Sequence, residues 1–183
     1  NNLGNALIRK KDGTVVPLTP NSYGVLFSQE DLVSGGTTLP KYTASLNNNI
    51  SYRGFGLSFM FVYQGGFSLL KDSYNGESLQ DEISLVSADA ANAWQNPGDE
   101  LFTDIPRINS TTPYSYAKYS TKNIIDGDFI RLRDVVLSYT IPVSMSKNFG
   151  FSEFTLNLHA NNLYLWTKNK EGIDPESHGL GFR

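Results

Sequence analysis

A regular two-residue alternation of apolar and polar side chains constrains the fold more than any other feature of this sequence. The first run places apolar residues at every second position from Tyr42 to Tyr52, with Asn48 as the exception. The second run alternates in the same way from Phe55 to Tyr63. Side chains of a β-strand point alternately to opposite faces, so this period predicts two strands.

The short segment between the two runs, Arg53-Gly54, predicts how they pair. We interpret it as the two-residue turn of an antiparallel hairpin. In that register the facing pairs are Tyr52 with Phe55, Ile50 with Leu57, Leu46 with Phe61, and Ala44 with Tyr63. Both apolar sets then share one face of the hairpin.

Two further strands are predicted in the second half of the chain. The first runs from about Phe129 to Ile141, where the alternation changes phase and predicts a bulge near Arg133-Asp134. The second alternates from Phe154 to Ala160. A small hairpin around Asp12-Gly13 and a short helix near 87–95 are also expected. The predicted fold class is all-β and antiparallel, with about four long strands.

Composition excludes several classes of protein. Charged residues make up 18% of the chain, the net charge is −3, and Lys and Arg are scattered, so no nucleic-acid partner is expected. The chain has no cysteine, which excludes disulfides, thiolate zinc sites and cysteine nucleophiles. No apolar run approaches the roughly 18 residues of a membrane-spanning helix. A membrane-spanning strand is not excluded.

Two architectures explain the alternation: a soluble sandwich whose apolar faces pack together, and a membrane barrel whose apolar face meets lipid. From Tyr42 to Tyr52 the strand spans about 33 Å, which at a tilt near 40° projects to roughly 25 Å, the height of an outer-membrane apolar band. Tyr42 and Tyr63 near one end, and Tyr52 and Phe55 near the other, match interface girdles. Short connections at one end and long ones at the other also favour a barrel-wall segment, whereas Asn48 on the apolar face disfavours it.

The segment from Asp126 to Pro142, DGDFIRLRDVVLSYTIP, closely resembles a stretch near the C-terminus of SusC/RagA-family TonB-dependent outer-membrane transporters. Other pieces of the family pattern occur in the family's order and cover nearly the whole chain. They are PKYT at 40–43, SYRGF at 51–55, WQNPGD at 94–99, TDIPR at 103–107, NNLYLWT at 161–167 and GIDPE at 172–176.

This resemblance implies a large barrel, of about 22 strands, around an N-terminal plug in the outer membrane of a Gram-negative bacterium. It also implies a SusD-like surface lipoprotein as partner, energy relayed through TonB, and import of oligosaccharides or peptides. The plug, the TonB box and a final strand have no counterpart here, so we expect a fragment of a longer transporter. The expected organisation is an extracellular loop at 1–39, a transmembrane hairpin at 40–64, a long extracellular loop at 65–128, a transmembrane hairpin at 129–166, and an extracellular loop at 167–183 before a missing final strand.

Alternation and loop composition provide the candidate site residues. The predicted lumen-facing residues are Thr43, Ser45, Asn47, Asn49, Ser51, Asn157 and His159. The aromatic residues of the long loop are candidates for substrate or partner contact, with loop packing as the alternative. They are Trp94, Tyr114, Tyr116 and Tyr119.

Other polar residues have simpler interpretations. Neither His159 nor His178 has a second histidine at metal-ligand spacing. Asp99, Glu100 and Asp104 are interpreted as solvated loop charges, and Asp126-Gly127-Asp128 as a turn before a strand rather than a calcium loop. No catalytic fingerprint is present, so we predict neither enzyme activity nor a cofactor. The alternative function is a secreted β-sandwich carbohydrate-binding or adhesin module.

Overall fold

The computed structural model describes residues 3–18, 28–71, 91–107 and 120–177. It divides into two compact units, one formed by Asn1–Gly35 with Leu70–Ile125 and the other by Gly36–Leu69 with Asp126–Arg183. The strands are β1 (Leu7–Arg9), β2 (Val15–Pro17), β3 (Tyr42–Tyr52), β4 (Phe55–Gly65), β5 (Ser68–Leu70), β6 (Ile124–Asp126), β7 (Phe129–Ile141) and β8 (Phe154–Thr167).

A small hairpin in the first unit confirms the expectation for Asp12-Gly13. β1 and β2 pair antiparallel, with Ile8 opposite Val16. The turn is closed by the Asp12 carboxylate, which accepts a 2.8 Å hydrogen bond from the Thr14 N–H. Gly13 takes a positive φ of 87°, a conformation that favours glycine.

Among the described residues of the same unit, 3₁₀ turns lie at Gln29–Asp31, Asp99–Leu101 and Thr121–Asn123. Of the helix expected near 87–95, residues 87–90 lie outside the described part of the chain. Residues 91–92 form a 3₁₀ turn, and residues 93–95 have no helical structure. The helix as a whole therefore stays a prediction.

Four long strands form one antiparallel sheet in the second unit, in the order β3-β4-β7-β8. β3 pairs with β4 in the predicted register, with Ala44 opposite Tyr63 and Ile50 opposite Leu57. Arg53 and Gly54 have φ values of 46° and 85°. Positive φ at both central residues is typical of a type I′ turn, whose twist matches that of the strands it joins. The predicted all-β antiparallel fold, with four long strands, is confirmed.

The change of phase in β7 comes from a bulge at the predicted position. Consecutive β4 residues Met60 and Phe61 pair with Asp134 and Leu132, which leaves Arg133 without a partner on β4. The register with β8 also shifts between Leu132 and Asp134. The extra residue reverses the parity of the strand, so the apolar side chains before and after it lie on the same face.

β7 and β8 are joined by a compact connection. It consists of the short helix α1 (Val143–Ser146), a 3₁₀ turn at Lys147–Phe149, and Gly150 with a φ of 84°. In the described ranges no helix is long and apolar enough to cross a membrane.

The long sheet has one continuous face of apolar side chains, here called the apolar face. Pairing aligns the even positions of β3 with the odd positions of β4 and then with the matching positions of β7 and β8. Its exposed members are Tyr42, Leu46, Ile50, Tyr52, Phe55, Ile130, Leu137, Phe154, Leu156, Leu158, Tyr164 and Trp166. Asn48 lies on this face opposite Phe59, as expected. The other sheets in the described ranges have strands of only three residues, too short to form the second layer of a sandwich with this sheet.

Candidate functional site

The opposite face of the long sheet, here called the polar face, contains the predicted lumen-facing residues. Strand register places the five β3 candidates together on this face, and Asn157 and His159 join them from β8 opposite Ser138 and Val136. All seven are exposed; the five in β3 are Thr43, Ser45, Asn47, Asn49 and Ser51. Their lining of a lumen stays a prediction.

His159 remains a single histidine on this face. Across the part of the chain that the structure describes, no group of three or more His, Cys, Asp or Glu residues is arranged to hold a metal ion. His178 lies outside the described residues.

A cluster of charged side chains on the polar face was missed by sequence reasoning. Arg131 Nη2 donates a 2.6 Å hydrogen bond to Asp174 Oδ1. Arg131 Nε lies 2.5 Å from Glu176 Oε2, an ion-pair contact without hydrogen-bond alignment. Arg133 Nη2 forms an ion pair with the other oxygen of the same carboxylate, Glu176 Oε1. Two guanidinium groups therefore share one carboxylate.

The bulge explains how two arginines separated by one leucine reach the same carboxylate. Arg131 lies opposite Val62 of β4, before the bulge, and belongs to the polar face. Arg133 is the unpaired residue of the bulge, and a bulge re-aims side chains relative to the regular alternation. On β8, Asn162 takes a left-handed φ of 53° beside the register shift, a conformation that asparagine tolerates.

Burial distinguishes the members of this cluster. The Arg131 side chain is 8% exposed, whereas those of Asp174, Glu176 and Arg133 are each about a third exposed. The Arg131 guanidinium also lies 5.8 Å from the centre of the Phe129 ring, which is fully buried. Burial raises the pKa of Asp174, but the hydrogen bonds from Arg131 and the Glu176 N–H, together with the charge of Arg131, outweigh it, so that this pKa lies below its ordinary value.

The acidic residues come from a loop that follows β8 and is internally hydrogen bonded. Asn169 is buried, and its amide donates to the Ile173 carbonyl at 2.9 Å and accepts from the Ile173 N–H at 3.1 Å. Asp174 Oδ1 accepts the Glu176 N–H at 2.9 Å as well as the Arg131 hydrogen bond. Pro175, between the two acidic residues, is buried.

A second ion-pair cluster holds the beginning of this loop. Lys168 Nζ lies 2.6 Å from Asp126 Oδ2 and 3.6 Å from Asp128 Oδ2. Asp126 also accepts the Asp128 N–H at 2.9 Å, and Asp128 accepts the Gly66 N–H at 2.6 Å. Burial raises the pKa of Asp126, but the hydrogen bonds from Lys168 and the Asp128 N–H, together with the charge of Lys168, hold that pKa below its ordinary value. The contact with Asp126 raises the pKa of Lys168. These carboxylates close a turn and bind a lysine, in agreement with the turn interpretation.

The loop candidate Trp94 lies in the first unit and is half-buried. Its indole N–H donates a 3.0 Å hydrogen bond to Glu100 Oε2, which also accepts the Gly98 N–H at 2.8 Å. The bond from Trp94 lowers the pKa of Glu100. Gly4, with a φ of 71°, lies so close to the ring that a Cβ there would overlap it. Tyr114, Tyr116 and Tyr119 lie outside the described residues.

The acidic residues of that loop have separate partners. Asp99 Oδ2 accepts the N–H groups of Gln95 and Asn96, at 3.0 and 2.8 Å. Asp104 forms an ion pair with Lys122, which lowers the pKa of Asp104. Each carboxylate thus has a structural contact of its own, which does not favour an acid/base pair.

Arg131 and Arg133 had a detectable signal in the sequence. Two arginines separated by a single leucine stand in a strand segment, 129–133, that is otherwise apolar. Lys, Arg and Glu are rarely buried unless they are paired, so such residues indicate a partner elsewhere in the chain. The sequence does not indicate which acidic residue is that partner.

Known proteins resemble this chain in sequence. No protein-family model matches the chain. TonB-dependent receptor P39 of Formosa agariphila is 29% identical over 149 residues, which cover 80% of this chain and 14% of that protein. TonB-dependent receptor P26 of the same organism is 29% identical over 168 residues, covering 88% of this chain and 16% of that protein. The chain therefore spans less than a fifth of these relatives.

Solved structures show the same likeness at the level of the fold. A structure of the RagAB peptide transporter matches 97% of this chain and 19% of its own chain, with a TM-score of 0.64 and 22% identity. The RagAB peptide importer in the closed-closed state matches 93% of this chain and 18% of its own, with a TM-score of 0.63 and 23% identity. The resemblance predicted from the motifs is confirmed, in sequence by the receptors and in fold by the RagAB structures.

Proposed function

We propose that this chain, similar in sequence to TonB-dependent receptors and in fold to a segment of RagAB, is a wall segment of an outer-membrane nutrient importer. β3, β4, β7 and β8 then cross the outer membrane of a Gram-negative bacterium. The apolar face meets lipid, the polar face lines the lumen, and the segments at 1–39, 65–128 and 167–183 are extracellular loops.

The observation that carries this proposal is the exposure of the apolar face. Leu46 and Ile50 are 59% and 54% exposed in the middle of a long strand. Burying such side chains against an apolar phase stabilises a protein by about 25 cal/mol per Å², so a continuous exposed face of this kind indicates a lipid-facing surface. The same exposure disfavours the alternative of a secreted β-sandwich module.

Aromatic residues at both ends of the apolar face support the same orientation. Near the β3–β4 turn, the rings of Phe55 and Tyr139 lie 4.4 Å apart, and the Arg53 guanidinium lies 5.2 Å from the Tyr52 ring. At the other end, Trp166 lies opposite Ile130 in the register of β7 and β8. Aromatic rings at both boundaries of an apolar band are typical of membrane barrels.

Substrates and partners belong to the whole protein and are proposed with it. The similarity to a TonB-dependent receptor and to the RagAB peptide importer favours transport over catalysis. We propose import of peptides or oligosaccharides, energised by TonB, with a SusD-like surface lipoprotein as partner. Trp94, Tyr114, Tyr116 and Tyr119 are the proposed loop residues for substrate or partner contact.

Cysteine labelling of the full-length protein in the outer membrane tests the orientation of the wall. This segment has no native cysteine, so Leu46→Cys and Asn47→Cys can be compared after removal of any cysteines elsewhere. We expect Asn47→Cys to react with a charged, membrane-impermeant thiol reagent and Leu46→Cys to react only with an apolar, membrane-soluble one. Ile50→Cys and Asn49→Cys repeat the comparison. Equal reaction of both parities with the charged reagent would contradict a membrane wall.

Uptake measurements test the transport function separately. Radiolabelled peptides or oligosaccharides are supplied to wild-type cells, to cells lacking the full-length gene and to cells lacking TonB. We expect uptake of at least one of these substrate classes to require both the gene and TonB. Unchanged uptake of both classes in the deletion strain would rule out the proposed importer.

A further inference from the structure

The loop at 168–177, here called the strap, is held on the polar face by contacts at two places. At its beginning, Lys168 forms ion pairs with Asp126 and Asp128. In its far part, Asp174 and Glu176 form ion pairs with Arg131 and Arg133. We propose that Arg131 and Arg133 form a two-arginine carboxylate site whose occupant is the chain's own Asp174 and Glu176, and that this site is the latch of the strap.

The stereochemistry of the latch supports a specific site rather than an incidental surface pair. Both oxygens of Glu176 are engaged, one by each arginine. Arg131 is in turn shared between Glu176 and Asp174. Guanidinium groups present several donors in a rigid fork, which is why paired arginines are selective for carboxylates.

Burial gives the latch a fixed side and a movable side. Arg131 is 8% exposed and packs near the Phe129 ring, so its position is set by the sheet. Asp174 and Glu176 are each about a third exposed, so water reaches the carboxylates without any movement of the sheet. An opening of the latch therefore leaves Arg131 in place and frees the strap.

Hydrogen bonds within the strap make it a unit that moves as a whole beyond Asn169. Asn169 closes a ring with Ile173, and Asp174 accepts the Glu176 N–H. Ser177 Oγ donates to the Asp174 carbonyl at 2.9 Å. Since Asp174 Oδ1 is both an acceptor within the strap and the acceptor for Arg131, loss of the latch weakens the turn that contains Glu176.

The functional meaning of the latch rests on the proposed function. If the polar face lines a lumen, the strap lies at the lumen wall near the loop end of β7. A closed latch keeps residues 168–177 on the wall and out of the passage. Release would move this segment into the path of a substrate.

Hydrogen–deuterium exchange of the full-length protein in detergent tests the latch without any assay of transport. The reporters are the strap amides of Ile173, Glu176 and Ser177, each of which donates a hydrogen bond. We expect Arg133→Gln and Glu176→Gln each to accelerate exchange at Glu176 and Ser177 by about threefold, the change that a loss of ~0.7 kcal/mol produces. Arg131→Gln is expected to have a larger effect.

Controls separate a latch from general destabilisation. Lys170→Gln removes a positive charge from the same strap and is expected to leave the exchange rate unchanged. Amides of β4 report folding of the whole sheet. If Arg131→Gln accelerates exchange in β4 as well as in the strap, the latch is judged from Arg133→Gln, whose side chain is about a third exposed. In the double variant Arg133→Gln/Glu176→Gln, the loss in the free energy of strap opening should be smaller than the sum of the losses in the two single variants.

The outcomes decide the proposal independently of transport. Wild-type exchange in both Arg133→Gln and Glu176→Gln would overturn the latch, as would the same acceleration in Lys170→Gln or fully additive effects in the double variant. A protein that fails the cysteine-labelling or uptake tests but shows the expected exchange keeps the latch and loses the importer. The reverse result loses only the latch.

Discussion

Arg131 and Asp174 are 43 residues apart in sequence, yet Arg131 Nη2 lies 2.6 Å from Asp174 Oδ1. Their hydrogen bond joins two motifs that carry the family resemblance, the strand segment of Arg131 and the GIDPE loop. Arg133 and Glu176 form a second pair with the same separation. The two motifs therefore belong to one structural unit, in which the strand positions the loop.

Removal of the buried arginine is expected to destabilise the protein. Arg131→Met leaves Asp174 and Glu176 without their buried partner, and we expect a loss of about 1–3 kcal/mol in the free energy of unfolding. Arg133→Met removes a more exposed group and should cost less than about 1 kcal/mol. Chemical denaturation of the full-length protein in detergent measures both values. Equal losses for the two variants would contradict the assigned burial.

Acid is expected to loosen the strap. The pKa of Asp174 lies below its ordinary value of 3.8, so the folded protein favours the carboxylate. The resulting stabilisation is fully present above that ordinary value and is lost as the pH falls through the lowered pKa. A spin label at Ser177→Cys should therefore become more mobile as the pH falls below about 4. With Asp174→Asn the label should be mobile already at neutral pH and change less. An identical pH profile in the two proteins would exclude Asp174 as the titrating group.

Glycine at the β3–β4 turn is expected to be more sensitive to substitution than glycine in the β7–β8 connection. Gly54 and Gly150 both have positive φ, 85° and 84°, so alanine at either site costs about 1–2 kcal/mol in backbone strain. A Cβ at Gly54 would also lie 2.8 Å from the Thr140 carbonyl oxygen, whereas at Gly150 it would meet open space. The unfolding free energy should therefore fall further in Gly54→Ala. A larger loss in Gly150→Ala would contradict this turn geometry.

A charge on the apolar face is expected to be far more costly than the same charge on the polar face. Leu46 and Asn47 are neighbours near the middle of β3 and lie on opposite faces. At the centre of a bilayer, Leu46→Arg should cost about 2–4 kcal/mol, whereas an arginine facing a wet lumen should cost little. Unfolding of the full-length protein from lipid vesicles measures the difference between Leu46→Arg and Asn47→Arg. Similar costs for both would argue that neither face meets lipid.

Much of the long sheet was predictable from sequence because its determinants are local. Alternation with a period of two defines a strand face, and a two-residue turn defines the register of β3 and β4. The change of phase around Arg133 located the bulge. Each of these signals lies within about a dozen consecutive residues, and each was confirmed.

The sequence by itself determined the strands, their faces, the β3–β4 register and the family resemblance, because backbone geometry converts residue spacing directly into side-chain direction. The tertiary structure alone decided which charges meet. Arg131 and Arg133 could have paired with any of the carboxylates in the loops, since charge attraction carries no information on sequence position. Pairing of β7 with β8 brings the strap back over the polar face, and that placement selects Asp174 and Glu176.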